Sequence, residues 1–347
     1  MAHKLALIGF GTVGQGFAEI LQSKADRLKQ EQGFEATIVA VADTLKGSAY
    51  SPQGLKLDEL LELVRSGESL NDYGGAESGW DALRTIRESN ADTVCELTYT
   101  DIETGQPATD HCRAALGSGK HVVTSNKGPA ALHYRELSDM AADHGVRFLI
   151  EGTVMSGTPV LNLVRNELAG NQISAIRGIL NGTTNYILTK MEEGQSYEEA
   201  LSEAKRLGYA EADPTADVEG LDALAKVTIL ANVVMGESLT PKDTPCQGIS
   251  HLSAADVESA RSESKRWKLI GEIRRNEDGV SASVAPVALE TSHPLAGVSG
   301  AVNALTFSTD LLGDVTMVGP GAGKMETGFS ILTDLLELHR NPKGTHR

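Results

Sequence analysis

The apolar, β-prone run KLALIGF over residues 4–10 leads directly into Gly9-Phe10-Gly11-Thr12-Val13-Gly14, and a helical pattern follows over 12–31. Three glycines at this spacing, with a strand before and a helix after, constrain the chain strongly. The first permits a tight turn, the second lets backbone approach a pyrophosphate, and the third lets helix pack closely on strand. The helix N-terminus adds amide donors and a favourable dipole for an anion. A purely structural turn is the alternative, because GxGxxG alone matches many loops. The context on both sides favours a dinucleotide site built from Gly9, Gly11, Thr12, Val13 and Gly14.

The same rhythm continues for 150 residues. Strand-like runs at 36–43, 92–98, 120–126 and 146–152 alternate with helical patterns at 54–66, 107–117 and 132–144. Alternation of this kind predicts an α/β fold with a doubly wound, Rossmann-type parallel sheet. The runs are almost continuously apolar, as strands covered on both faces are. After Glu151 the pattern changes. A helix-like stretch near 158–168 precedes a strand at 173–180, then helices near 183–192 and 197–207 and a long one over 219–235. The segment 249–290 is charged and mixed, and its VSASVAPVALE run reads as an antiparallel strand. We therefore expect a dinucleotide-binding domain over 1–152, joined by the C-terminal segment 319–347. A second α+β domain for substrate and dimerisation should occupy 153–318. The tail turns on Gly319, Gly321 and Gly323, forms a helix from about Met325 to His339, and frays over NPKGTHR.

Charge narrows the function classes. The 347 residues carry 31 Lys+Arg against 47 Asp+Glu, a net −16. Such acidity argues against nucleic acid or an anionic membrane as a partner, and no apolar run approaches the roughly 18 residues of a membrane span. Cys95, Cys112 and Cys246 lie far apart without a CxxC pair, and Cys95 sits in an apolar run as a buried structural thiol. An odd count without metal-ligand spacing and without an export signal fits a reducing, cytoplasmic setting.

Three places carry candidate chemistry. Asp43 ends the second strand, where an acidic side chain accepts the adenosine ribose hydroxyls and disfavours a 2′-phosphate. Lys46, three residues on, favours one, and a plain turn residue at 43 is the alternative. The segment Gly208–Lys226 gathers carboxylates beside glycine and proline, then enters a helix whose later turns (VTILANVVM) are apolar. Asp222 and Lys226 stand at i and i+4 on one face of it and can pair. A solvated ion pair is the bland reading, but a helix that continues so apolar points that face inward. Lys127 follows the fourth strand-like run, at the carboxyl end where parallel strands line their crevice, and a surface loop lysine is the equal alternative there.

At this point the chain resembles the homoserine dehydrogenase family over nearly its whole length. The resemblance rests on Thr124-Ser125-Asn126-Lys127, on Glu151 to Pro159 (EGTVMSGTP), on Gly178 to Leu188 (GILNGTTNYIL), on Gly208–Lys226 and on Gly319-Pro320-Gly321-Ala322-Gly323. It implies NAD(P)-linked interconversion of L-homoserine and L-aspartate 4-semialdehyde, serving threonine, methionine and isoleucine biosynthesis, by a cytoplasmic homodimer. It further implies Lys226 as proton donor, Lys127 as a second catalytic lysine also at the cofactor, Glu211 and Asp222 as substrate carboxylates, and Gly208 as a backbone substrate contact. Thr98 and Gly323 correspond to cofactor contacts. Glu151, Val154, Ser156 and Thr158 match a segment that holds a monovalent cation, sodium or potassium, mostly by backbone carbonyls. Ala212, where a proline is common, and Tyr99 after Thr98 depart from the pattern. The residue chemistry agrees with the resemblance: charge develops on oxygen as hydride reaches an aldehyde carbon, and a positioned ammonium stabilises and protonates it.

Two other readings share this architecture: a dehydrogenase of another small hydroxy compound, and a non-catalytic dinucleotide sensor. The joint presence of Lys127, Glu211, Asp222 and Lys226 argues against the sensor. Too few residues follow Gly323 for a sensing domain, which needs about 50, so no appended regulatory module is expected. Threonine would then act, if at all, by competition.

Overall fold

The computed structural model describes residues 2–342, so the expected fraying lies, from residue 343, outside the described residues. The chain divides into two compact units: residues up to 157 together with those from 323 onward, and residues 158–322.

The first unit holds a six-stranded sheet. Its strands are β1 (His3–Ile8), β2 (Ala36–Asp43), β3 (Gly47–Tyr50), β4 (Thr93–Glu96), β5 (His121–Thr124) and β6 (Phe148–Leu149), in the order β3-β2-β1-β4-β5-β6. All neighbours run parallel except β3, which folds back antiparallel on β2 as an edge strand. Chain order reverses between β1 and β4, which is where doubly wound sheets open their ligand crevice. Leu5, Leu7, Phe17 and Val41 form the core with Leu335 and Leu338 of the C-terminal helix Lys324–Arg340. That helix lies along helix Thr12–Gln32, so the tail completes the dinucleotide unit.

The second unit is built on an antiparallel sheet. It comprises β7 (Ile173–Ile179), β8 (Lys265–Asn276), β9 (Gly279–Glu290), β10 (Val302–Thr309) and β11 (Gly313–Pro320), ordered β11-β10-β7-β8-β9. Helices Gly182–Glu192 and Leu221–Val234 cover it, the latter lying on β8 and β9 and buried from Ala223 to Ala231. The stretch expected to be helical near 158–168 is one short turn, Val160–Asn162, opening into a wider π-type turn, Leu163–Glu167.

β3, β8, β10 and β11 are not visible in the sequence pattern. In β8 (KRWKLIGEIRRN) the reason is physical. Lys268 stands at a core position, fully buried, its Nζ donating to Asn185 Oδ1 at 3.2 Å and Val298 O at 2.9 Å. A lysine there breaks the apolar run, and burial lowers its pKa. Among the described residues no helix is long and apolar enough to cross a membrane.

Candidate active site

In the first unit the glycine loop is shaped by contact. Gly9 has φ +95°, and a Cβ there would stand 2.6 Å from Leu97 O and 2.9 Å from Thr98 N, so the loop after β1 lies directly on the chain leaving β4. A Cβ on Gly14 would come within 2.8 Å of Gly9 O, which closes the helix onto the loop. At Gly11 nothing lies within 4 Å, leaving open space over the backbone. Helix Thr12–Gln32 starts there with no side-chain cap, Thr12 exposed and Val13 half-buried. Open backbone beside uncapped amides fits a pyrophosphate.

Asp43 is tied to this loop more tightly than its position suggests. Its Oδ2 accepts from Phe10 N at 2.7 Å, and Oδ1 accepts from Leu45 N and Lys46 N, both at 3.0 Å. Lys46 Nζ lies 3.8 Å away. Burial pushes the carboxyl up, but the three amides and Lys46 outweigh it and hold the pKa below the ordinary value. The carboxylate thus fixes the turn, as the turn-residue alternative has it, and its bond to Phe10 N also ties that turn to the glycine loop, which the sequence does not disclose.

At the carboxyl end of β5, Asn126 caps helix Lys127–Leu132 by accepting from Gly128 N at 3.0 Å. Its Nδ2 donates to Thr98 O at 3.2 Å and Tyr99 O at 2.8 Å. One amide therefore joins Thr98 to the helix that Lys127 begins, and both residues are half-buried. His111 is buried against Glu96.

The second unit assembles its own cluster. Lys226 is only 6% exposed, and Nζ donates to Asp222 Oδ2 and to Leu180 O, each at 2.7 Å. The bland solvated pair is therefore excluded. Asn181 caps helix Gly182–Glu192 through Thr184 N at 2.8 Å, and its Nδ2 donates to Asp217 Oδ1 at 2.7 Å and Asp222 Oδ2 at 3.0 Å. The cap of one helix thus orients the carboxylate that holds the lysine of another. Gly208 (φ +78°) and exposed Glu211 stand on the neighbouring loop. That loop is held by Thr183 Oγ1 donating to Tyr209 O at 2.6 Å and by Lys205 Nζ donating to Ala212 O at 2.9 Å.

Asp217 and Asn181 are site residues that sequence reasoning passed over. Burial raises the Asp217 pKa, with Asp222 adding repulsion, while Asn181, Lys226 and Thr183 oppose both. A raised folded-state value means its stabilisation is present at low pH and lost as pH rises through that value. Asp217→Asn retains an acceptor for Asn181 and removes the buried charge. Its Tm at pH 7 should exceed wild type by about 2 °C, with the gain shrinking toward pH 4 and turnover falling. A pH series of melting curves checks this, and a variant melting at or below wild type at pH 7 contradicts it.

Glu151, Val154 and Ser156 are buried in the first unit, where Met155 and Ser156 take left-handed φ of 55° and 52°. Thr158, also buried, begins the second unit and donates to Pro320 O at 3.2 Å. Among the described residues no three His, Cys, Asp or Glu side chains group to hold a metal. Carbonyl, hydroxyl and carboxylate oxygens are the kind of donor that suits a hard monovalent cation rather than a transition metal.

One unit built for a dinucleotide and another carrying a buried Asp–Lys pair define a two-domain, nicotinamide-dependent oxidoreductase. The family model described as the homoserine dehydrogenase NAD binding domain matches residues 9–151, and that described as homoserine dehydrogenase matches 159–336. The chain belongs to the homoserine dehydrogenase family, and its cofactor is NAD(P). It is 48% identical, over 98% of its length and 97% of the relative's, to a Pseudomonas canavaninivorans protein named NAD(+)-dependent homoserine dehydrogenase. It is 43% identical, over 98% and 99%, to the homoserine dehydrogenase of Methanocaldococcus jannaschii. A solved hyperthermophilic archaeal homoserine dehydrogenase in complex with NADPH superposes with a TM-score of 0.83 at 31% identity, covering 98% of each chain.

Proposed function

We propose that this member of the family interconverts L-homoserine and L-aspartate 4-semialdehyde with Lys226 as the acid that protonates the carbonyl oxygen. The carrying observation is the buried Nζ, fixed at 2.7 Å by both Asp222 and Leu180 O. Bound NAD(P)H supplies the hydride. Lys226 stabilises the charge that develops on oxygen and delivers the proton; Asp222, clamped by Asn181, keeps the ammonium aimed. Glu211 receives the substrate's amino group, Gly208 contacts substrate by its backbone, and Lys127 is the second catalytic lysine. Gly9, Gly11, Thr12, Val13, Gly14, Thr98 and Gly323 hold the dinucleotide. The 151–158 segment holds a monovalent cation by its carbonyls, and the chain pairs as a homodimer through its second unit.

The substrate assignment is tested by NAD(P)-linked absorbance with L-homoserine against short-chain alcohols and 2-hydroxy acids. Homoserine should be preferred by orders of magnitude; an equal rate with any 2-hydroxy acid contradicts the reading.

Cofactor choice follows from Asp43 and Lys46 together, and both NAD and NADP should be used. Asp43→Ser releases the loop clamp for either cofactor, but it removes repulsion only for a 2′-phosphate. The ratio of kcat/KM for NADP over NAD should therefore rise roughly fivefold or more. An unmoved ratio places the ribose away from Asp43.

A further inference from the structure

Glu96 ends β4 and is fully buried, and neither cofactor nor substrate chemistry accounts for it. Its Oε1 accepts from the Thr98 hydroxyl, and Thr98 N stands 3.4 Å from the same oxygen. His111 Nδ1 lies 3.2 Å from it. On the other side Thr124 Oγ1 donates to Glu96 O at 2.7 Å and lies 3.4 Å from Oε2. With the backbone of Thr98 held by Asn126, both the position and the rotation of its hydroxyl are set from beneath.

A hydroxyl has one proton. At Thr98 that proton is spent on Glu96, so the half-buried oxygen has only lone pairs left for a ligand. In a doubly wound sheet the pyrophosphate lies at the glycine loop and the remainder of the dinucleotide crosses the switch point toward β4. Gly9 packs on Leu97 and Thr98 at that crossing.

We propose that Glu96 is a positioning residue that fixes Thr98 Oγ1 as an acceptor, so that the end of β4 selects the carboxamide N–H of the nicotinamide. This rests on the reading that Thr98 meets the cofactor.

The test is equilibrium binding, by calorimetry, of NAD+ and of 3-acetylpyridine adenine dinucleotide, in which a methyl ketone replaces the carboxamide and no N–H remains. Wild type should bind NAD+ about fivefold tighter, the effect of one hydrogen bond. Thr98→Val should bring the two affinities together. Glu96→Met frees the Thr98 proton to point outward and should do the same. Glu96→Gln, a neutral and weaker acceptor that preserves shape, should narrow the ratio by about twofold and serves if the Met variant does not fold. A collapse in Thr98→Val with the wild-type ratio intact in a folded Glu96 variant overturns this proposal alone. An unchanged ratio in Thr98→Val overturns the placement of Thr98 as well.

Discussion

Gly9→Ala should weaken NAD(H) binding by roughly tenfold to a hundredfold and lower Tm by about 4 °C, whereas Gly11→Ala should weaken binding and leave Tm unchanged. Gly9 holds φ +95°, a region that costs an alanine about 1–2 kcal/mol, and its Cβ would sit 2.6 Å from a backbone oxygen that cannot swing away. Relief requires the loop after β1 to lift off Leu97, which pulls apart the two strand ends that define the crevice. It also strains the Phe10 N–Asp43 hydrogen bond. Gly11 has φ −77° and no protein atom within 4 Å, so alanine fits the fold and intrudes only on what binds there. NADH fluorescence titration and thermal melting of the two variants check both arms. Equal melting losses would mean that the loop does not bear on β4, and undiminished binding in Gly11→Ala would mean that the dinucleotide does not cross it.

What could be read in advance divides along physical lines. The parallel strands β1, β2, β4 and β5 are covered on both faces and leave unbroken apolar runs, so their order along the chain is plain. Of the antiparallel strands, β9 and β11 are largely exposed or half-buried, whereas β10 is mostly buried. β11 alternates along GDVTMVGP in a segment with three glycines nearby, and β8 hides a buried lysine; neither leaves a run to recognise. The site follows the same rule. Asp222 and Lys226 announce themselves because i and i+4 share a helix face. Asp217, Asn181 and Glu96 do not, since each acts through partners distant in sequence: Asn181 reaches Asp217 and Asp222, and Glu96 meets His111 and Thr124. Asp43 was legible as a strand-end acid but not as the clamp on Phe10, because the hydrogen bond joins two turns of different strands. The resemblance supplied roles, while the structure supplied the orientation of each side chain.

Lys226→Ala should lower turnover by roughly two to four orders of magnitude while cofactor binding stays within about threefold of wild type. The ammonium lies beneath the surface of the second unit, held by a carboxylate and a carbonyl. Alanine removes both the positive charge that meets the developing alkoxide and the proton it needs. It also takes the ammonium away from Asp222 Oδ2, so the site becomes more negative where negative charge must form. The dinucleotide unit holds none of these groups, and its affinity for NADH should persist. The direct measurement is single-turnover oxidation of NADH by L-aspartate 4-semialdehyde, followed at 340 nm with saturating enzyme, alongside fluorescence titration of NADH. The predicted result is a rate at least a hundredfold below wild type with a nearly unchanged Kd; a rate within a few-fold of wild type would contradict the assignment of Lys226 as the acid.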